Sequence, residues 1–354
     1  MKPVRALILD DSAICREQLR DILTRDRDIT VVGEAENGDR VLELVRSTDP
    51  TILLVDLQMP GTGGHETIEH VMANQPLPIL VVTGQPSAVN QKAVFESIRR
   101  GALDLAEKPE RADAAAEGRL RSLVRELSQV PVVRHVKGTL APSRLFGRIG
   151  LKSSRPPVAD QLPVIGIGAS AGGPLAVAAV LAGLPAMLPA AVGVVQHLPK
   201  GFARAFAEFL RSRTALPVAV VARRTPIEPG HVYLPDDDRH LVAADAGHFA
   251  PSDTPELDGH RPAVDAFFLS LAQVVRRHAS GVIMSGIGRD GTRGLGEMKA
   301  RGALTLVQNE ASSGVFGMPR AALEAKAAER ALDPAGLARE LSAWALEAGR
   351  NAGR

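Results

Sequence analysis

The chain has 354 residues, which predicts two domains rather than one. Apolar residues make up 45% and charged residues 23%, a balance that builds ordinary cores and excludes a disordered chain. Lys plus Arg total 42 against 40 for Asp plus Glu, so no overall charge argues for nucleic-acid or membrane partners, and the single cysteine, Cys15, excludes an intramolecular disulfide or a multi-cysteine metal cluster.

The start, MKPVRALILDDS, lacks the long apolar stretch and cleavage site of a signal peptide. With one cysteine, this predicts a cytoplasmic protein. Val4–Leu9 reads as a strand, Ser12 as the cap of a helix running to Arg25, and Ile29–Val32 as a strand. Val41–Arg46 has helical spacing. Thr51–Val55 is almost wholly apolar, as a strand buried on both faces should be. A helix near Glu66–Met72, a strand at Ile79–Val82 and a helix over Val89–Arg100 ended by Gly101 follow. A strand at Ala102–Ala106 and a helix at Leu120–Leu127 complete the series. Strands alternating with helices in this way predict a small (βα)5 domain with a parallel sheet over 1–125.

Residues 126–160 break the pattern. Pro131 to Val158 holds four Pro, three Gly, six Lys or Arg and no acid, the composition of a basic, extended linker. Alternation then restarts over 161–350. Strands are expected at Val164–Ile167, Val192–Val195, Val218–Val221, Gly281–Met284 and Ala303–Val307. Helices are expected after Pro174, near Phe202–Leu210, Ala263–Arg276 and Leu295–Ala300, and at the C-terminus. A hairpin-like stretch lies around His231–Val242. The prediction is a second, doubly wound and mostly parallel α/β domain. The uncharged segment Gln161 to Pro199 is too broken by Pro and Gly to read as a membrane span.

In an open parallel sheet, ligands bind beyond the carboxyl ends of the strands. Asp10 and Asp11 follow the first strand, Asp56 the third, Thr83 ends the fourth and Lys108 follows the fifth. Crowded carboxylates repel unless a cation sits among them, and oxygen ligands favour Mg²⁺. A metal-bound carboxylate can attack a phosphoryl donor, with Lys108 and the Thr83 hydroxyl holding the phosphoryl oxygens.

With ILDDS, VDLQMPG, Thr83 and Lys108–Pro109 in place, residues 1–125 resemble the receiver domain of two-component response regulators. The resemblance implies that Asp56 accepts a phosphoryl group from a histidine kinase. It also implies that Mg²⁺ sits on Asp10, Asp11, Asp56 and the backbone carbonyl of Gln58. Gly63 stands where the family usually has an acid, and Leu105 where it usually has Phe or Tyr, so the aromatic rotamer switch is missing.

In the second half, Gly168-Ala169-Ser170-Ala171-Gly172 is a G-x-S-x-G string between a predicted strand and a helix opening at Pro174, the context of a nucleophile elbow. The same letters fit G-x-G-x-x-A, a dinucleotide fingerprint from Gly166 to Ala171, but the next strand ends in His197 rather than the acid that holds a ribose. Ser285-Gly-Ile-Gly-Arg-Asp290-Gly follows a third strand. Ser170, His197 and Asp290 thus stand beyond the ends of three strands and can converge on one crevice. His197 would take the serine proton, and Asp290 would fix its tautomer. Asp236–Asp238 with His240 reads as a solvated turn after Pro235 rather than a metal site. Two further readings of the second half are a binding or scaffold module and a nucleotide-binding output domain.

GASAGG, QHLP, RPAVDAFF, SGIGRDG and GVFGMPR resemble the catalytic domain of chemotaxis protein-glutamate methylesterases, the CheB family, over about 161–350. The resemblance implies hydrolysis of γ-glutamyl methyl esters on the cytoplasmic signalling helices of chemoreceptors, releasing methanol. In many members it implies deamidation of receptor glutamines too. It implies Ser170, His197 and Asp290 as the triad, the backbone N–H of Ile287 as an oxyanion donor, and no cofactor for the esterase. Ala171 stands where the family commonly has Thr, and Ile287 where it has Met. A receiver that covers the Ser170 crevice until phosphorylated is implied as well.

Overall fold

The computed structural model describes residues 3–84, 88–110, 113–132 and 162–351, with backbone alone at 88–92 and 351. Most of the expected linker, 133–160, lies outside the described residues. The chain forms two compact units, and the strands among the described residues form three sheets.

The first sheet holds β1 (Val4–Leu9), β2 (Ile29–Ala35), β3 (Ile52–Val55), β4 (Ile79–Thr83) and β5 (Asp104–Glu107), in the order β2-β1-β3-β4-β5. The pairs β1–β2, β1–β3 and β3–β4 are parallel. Five helices alternate with them: α1 (Ala13–Thr24), α2 (Val41–Thr48), α3 (Gly64–Asn74), α4 (Ala88–Arg100) and α5 (Ala114–Leu127). Ser12 caps α1 as expected, accepting the Cys15 N–H at 3.4 Å. Helix α5 begins well before Leu120 because Asp113 caps it through the Ala116 N–H, and its first turns are alanine-rich with no apolar stripe to read. Strand β5 starts two residues later than expected and ends one later.

The second sheet contains β6 (Val164–Ala169), β7 (Ala191–Gln196), β8 (Val218–Val221), β10 (Val232–Pro235), β13 (Ala279–Ile283), β14 (Leu304–Gln308) and β15 (Arg330–Leu332). Its order is β15-β14-β13-β6-β7-β10-β8, and every pair is parallel. The third sheet, antiparallel, is β11 (His240–Asp245), β12 (His248–Ser252) and β9 (Thr225–Pro226). The helices are α6 (Gly173–Gly183), α7 (Ala203–Arg211), α8 (Val264–Val274), α9 (Thr292–Ala300), α10 (Gly317–Glu324) and α11 (Pro334–Asn351).

The hairpin expected around His231–Val242 is corrected. Val232–Pro235 is a parallel strand inserted between β7 and β8, and the hairpin is formed further on by β11 and β12. A four-residue apolar run such as VYLP carries too little periodicity to separate the two. Strand β15, short and at the sheet edge, gives no apolar signal to read.

Two features of the second sheet position the site. Chain order reverses at β6: β7 lies on one side of it and β13, reached much later, on the other. Such a switch point opens a crevice at the carboxyl ends of the strands. Small residues then let α8 lie close on the sheet. A Cβ on Gly168 of β6 would fall 2.2 Å from Val264 Cγ1, and one on Gly193 of β7 would fall 2.2 Å from Phe267 Cζ. Phe267 in turn packs edge-on against Phe249, with ring centroids 5.5 Å apart. Among the described residues no helix is long and apolar enough to cross a membrane. The uncharged segment is instead β6, α6 and β7.

Candidate active site

Ser170 follows β6, His197 follows β7, and Asp290 lies in the loop between β13 and α9. The switch point therefore places all three beyond the carboxyl ends of neighbouring strands, where His197 and Asp290 meet. The Ser170 N–H donates to the Ser285 carbonyl at 2.9 Å, and the Ser170 carbonyl accepts the Gly173 N–H at 2.8 Å. The turn into α6 is made at Gly172, whose φ of 69° favours glycine. Ser170 itself is not among the residues with positive φ, so the left-handed step of the turn falls on Gly172, two residues on. Gly286 also stands close: a Cβ there would fall 2.9 Å from Ser170 Cβ and 2.2 Å from Met318 Sδ.

His197 Nε2 lies 2.8 Å from Asp290 Oδ2. The other ring nitrogen, Nδ1, is buried and has no hydrogen-bond partner among the described residues. Asp290 is buried and accepts two more hydrogen bonds, from the Val264 N–H at 2.7 Å and the Asp265 N–H at 2.8 Å, at the start of α8. Burial works to raise its pKa. The His197 hydrogen bond and charge, with the two backbone N–H groups, outweigh that and hold the carboxyl below its ordinary value. In the neutral form of His197, an ionised Asp290 selects one tautomer: Nε2 carries the proton that Asp290 accepts, and Nδ1 has the lone pair.

The Ile287 N–H, expected to meet an oxyanion, belongs to a half-buried residue in the Ser285–Asp290 loop. It has no hydrogen-bond partner among the described residues, whereas the Gly286 N–H donates to the Val315 carbonyl at 3.0 Å. Free donors of this kind suit developing negative charge.

Several residues that spacing did not single out support this geometry. Gln196, buried, donates through Nε2 to the carbonyls of Ser170 at 2.7 Å and His197 at 3.1 Å. Ser285 donates to the Ala171 carbonyl at 2.7 Å and accepts the Val315 N–H at 2.9 Å. The His260 ring stacks on His197. None of these has a marker in a single sequence, because each acts through contacts between distant segments.

Two of the acids after Pro235 have protein partners. Asp237 accepts the N–H groups of Gly201 and Ala203, and Asp238 pairs with Arg261 and Lys200. His240, expected in a solvated turn, is fully buried and bonded at both ring nitrogens, to the Pro255 carbonyl and the Ala263 N–H.

In the first sheet, Asp10, Asp11 and Asp56 offer carboxylate oxygens that all lie within 4.8 Å of one another. Asp10 and Asp56 are buried, and Asp11 is exposed. The Gln58 N–H donates to Asp56 Oδ1 at 3.2 Å and the Ser12 N–H to Asp10 Oδ1 at 3.0 Å. Three crowded carboxylates fit a hard divalent cation, which would cancel their repulsion. Thr83, buried, ends β4, and Lys108 follows β5; the Lys108 N–H donates to the Thr83 carbonyl at 2.8 Å. Leu105 is buried in β5.

Comparison with known proteins agrees with both halves. The CheB methylesterase family model matches residues 165–341, and the response regulator receiver domain model matches residues 6–117. A protein-glutamate methylesterase/protein-glutamine glutaminase of Anaeromyxobacter dehalogenans is 40% identical, covering 94% of this chain and 94% of that protein. One from Paramagnetospirillum magneticum is 37% identical over 96% of this chain and 95% of its own. The crystal structure of the Thermotoga maritima CheB methylesterase catalytic domain aligns with a TM-score of 0.50 at 31% identity, covering 51% of this chain and 97% of that one. The crevice at β6, the acids of the first sheet and these matches agree, and the chain belongs to the CheB methylesterase family, with a response regulator receiver domain ahead of the esterase domain.

Proposed function

We propose that this chain is a phosphorylation-regulated serine esterase that hydrolyses glutamate γ-methyl esters on chemoreceptor signalling helices and deamidates glutamines there. The observation that carries the chemistry is the His197–Asp290 pair: Nε2 is committed to a buried carboxylate, and Nδ1 has no partner among the described residues, just past the strand next to the one that Ser170 follows. In this reading Nδ1 takes the Ser170 hydroxyl proton as Oγ attacks the ester carbonyl. Asp290 stabilises the imidazolium, and the Ile287 N–H faces the oxyanion. Methanol leaves with the proton from His197. Water, activated by the same nitrogen, then releases the glutamate carboxylate. With a glutamine substrate the leaving group is ammonia.

The reading assigns the receiver to 1–125, a linker to 126–160 and the catalytic domain to 161–350. Asp56 accepts the phosphoryl group from a histidine kinase. Asp10, Asp11, Asp56 and the Gln58 carbonyl would hold Mg²⁺, which neutralises charge during transfer, and Thr83 and Lys108 hold the phosphoryl oxygens. A cytoplasmic location follows from a kinase donor and cytoplasmic receptor helices. The test is methanol release from methylated receptor, with and without a small-molecule phosphodonor, by wild type and Ser170→Ala. Phosphodonor-stimulated release by wild type and none by Ser170→Ala is expected; equal release by both rules out Ser170 as the nucleophile.

A further inference from the structure

Asp290 holds His197 at one atom only. A single hydrogen bond through Nε2 leaves the imidazole free to swing about that contact, so something else must fix the direction of Nδ1. The ring of His260 lies face to face with that of His197, with centroids 3.8 Å apart and planes inclined by 11°.

The segment that presents His260 is built for the purpose. Leu257 and His260 exchange two backbone hydrogen bonds, of 3.1 and 3.0 Å, across Asp258 and Gly259. Both central residues have positive φ, 49° and 77°, and Asp-Gly is the pair such a tight turn prefers. Beyond the turn, Arg261 Nε donates to Asp238 Oδ1 at 2.9 Å, and the Ala263 N–H donates to the buried His240 at 3.1 Å. The backbone on both sides of His260 is therefore tied down, and its ring has a fixed place over the His197 face.

We propose that His260 is a positioning residue for the esterase reaction: its ring clamps the His197 imidazole face-on, so that Nδ1 keeps the direction it needs to exchange a proton with Ser170. The inference rests on the reading of His197 as the base. A misdirected base costs turnover rather than affinity, since substrate binding does not depend on the orientation of its lone pair.

The test compares full-length wild type, His260→Ala and His260→Phe in steady-state methanol release from methylated receptor. His260→Ala is expected to lower kcat about tenfold and leave KM within about twofold, while His260→Phe, which keeps a flat ring, recovers most of the loss. Wild-type kcat in His260→Ala overturns the proposal. So does a His260→Phe protein that melts like wild type yet turns over as slowly as His260→Ala, because a ring nitrogen would then be required. A defect confined to KM also overturns it and makes His260 a substrate contact. If wild type itself releases no methanol, the esterase reading fails and takes this inference with it; with an active wild type, the outcome bears on His260 alone.

Discussion

Asp290 and Asp265 cap each other's helices. Asp290, just ahead of α9, accepts the first N–H groups of α8 from Val264 and Asp265; Asp265, in the first turn of α8, accepts the Gly294 N–H of α9 at 2.7 Å. Two buried carboxylates so placed cannot be equally content as anions. For Asp265, burial is the largest influence and raises its pKa; the Gly294 N–H opposes it, and the charge of Asp290 adds to the rise. Asp290 has His197 as a further partner and is held low. The environments separate the two acids, and a negative charge is favoured more on the one that faces the base.

That division predicts opposite outcomes for the same chemical change. In Asp265→Asn the amide oxygen still accepts the Gly294 N–H and a disfavoured charge is lost, so kcat should stay within about threefold of wild type. Asp290→Asn offers one acceptor where three donors converge. Either its NH₂ faces the Asp265 N–H, or it faces His197 and the Val264 N–H. The second arrangement forces the imidazole proton onto Nδ1, and kcat should fall on the order of a thousandfold or more. Methanol release by the two purified variants decides it; equal losses would mean that Asp265 shares the work assigned to Asp290.

Gly168 ties sheet packing to the same carboxylate. A Cβ there would meet Val264 Cγ1 at 2.2 Å, and Val264 carries one of the N–H groups that Asp290 accepts. Gly168→Ala must push the start of α8 away from β6. We expect a stability loss of about 1–3 kcal/mol, read as a lower urea midpoint. We also expect a fall in kcat at temperatures where the variant is still folded. Full activity in a destabilised Gly168→Ala protein would show that Asp290 tolerates movement of α8.

The elements that hold these groups differ in how far the sequence reveals them. Asp10, Asp56 and Ser170 each terminate a run of apolar residues, and His197 follows Gln196, which ends another; a run that ends in a polar group marks a strand end at a sheet edge. Asp290 follows such a run at the distance of one loop. Gln196 and Ser285 also end apolar runs, but their residue types do not separate a supporting role from an ordinary polar strand end, and His260 carries no such mark. Gln196 looks like the last residue of a strand, and Ser285 like one more small residue in a loop. His260 meets His197 only because the β11–β12 hairpin and its exit bring a turn back over the crevice. The residue pattern places that hairpin too early in the chain, so the return path is not legible either.

The acids of the first sheet make a prediction of their own. With a small-molecule phosphodonor and Mg²⁺, wild type should gain an acid-labile acyl phosphate that Asp56→Asn lacks, and chelation of the metal should prevent the labelling. Intact-mass measurement under mild conditions reads both. Stoichiometric labelling of Asp56→Asn would place the acceptor elsewhere.

Asp104 supplies a prediction about stability and pH. It is buried in β5, and burial pushes its carboxyl up to about 7, although the Leu105 N–H, 2.9 Å from Oδ1, pulls the other way. In the unfolded chain an aspartate titrates near its ordinary value of about 4. Below that value both states are protonated and the group has no effect on folding. Between about 4 and about 7 the unfolded chain ionises while the folded one keeps its proton, so stability falls as pH rises across that window and levels off above it. Asp104→Asn is nearly isosteric and cannot ionise. Its urea midpoint should match wild type near pH 4, exceed it increasingly up to pH about 7, and keep a constant advantage beyond. Curves for wild type and Asp104→Asn that run parallel from acid to alkaline pH would mean that the folded protein holds Asp104 as an ordinary ionised carboxylate.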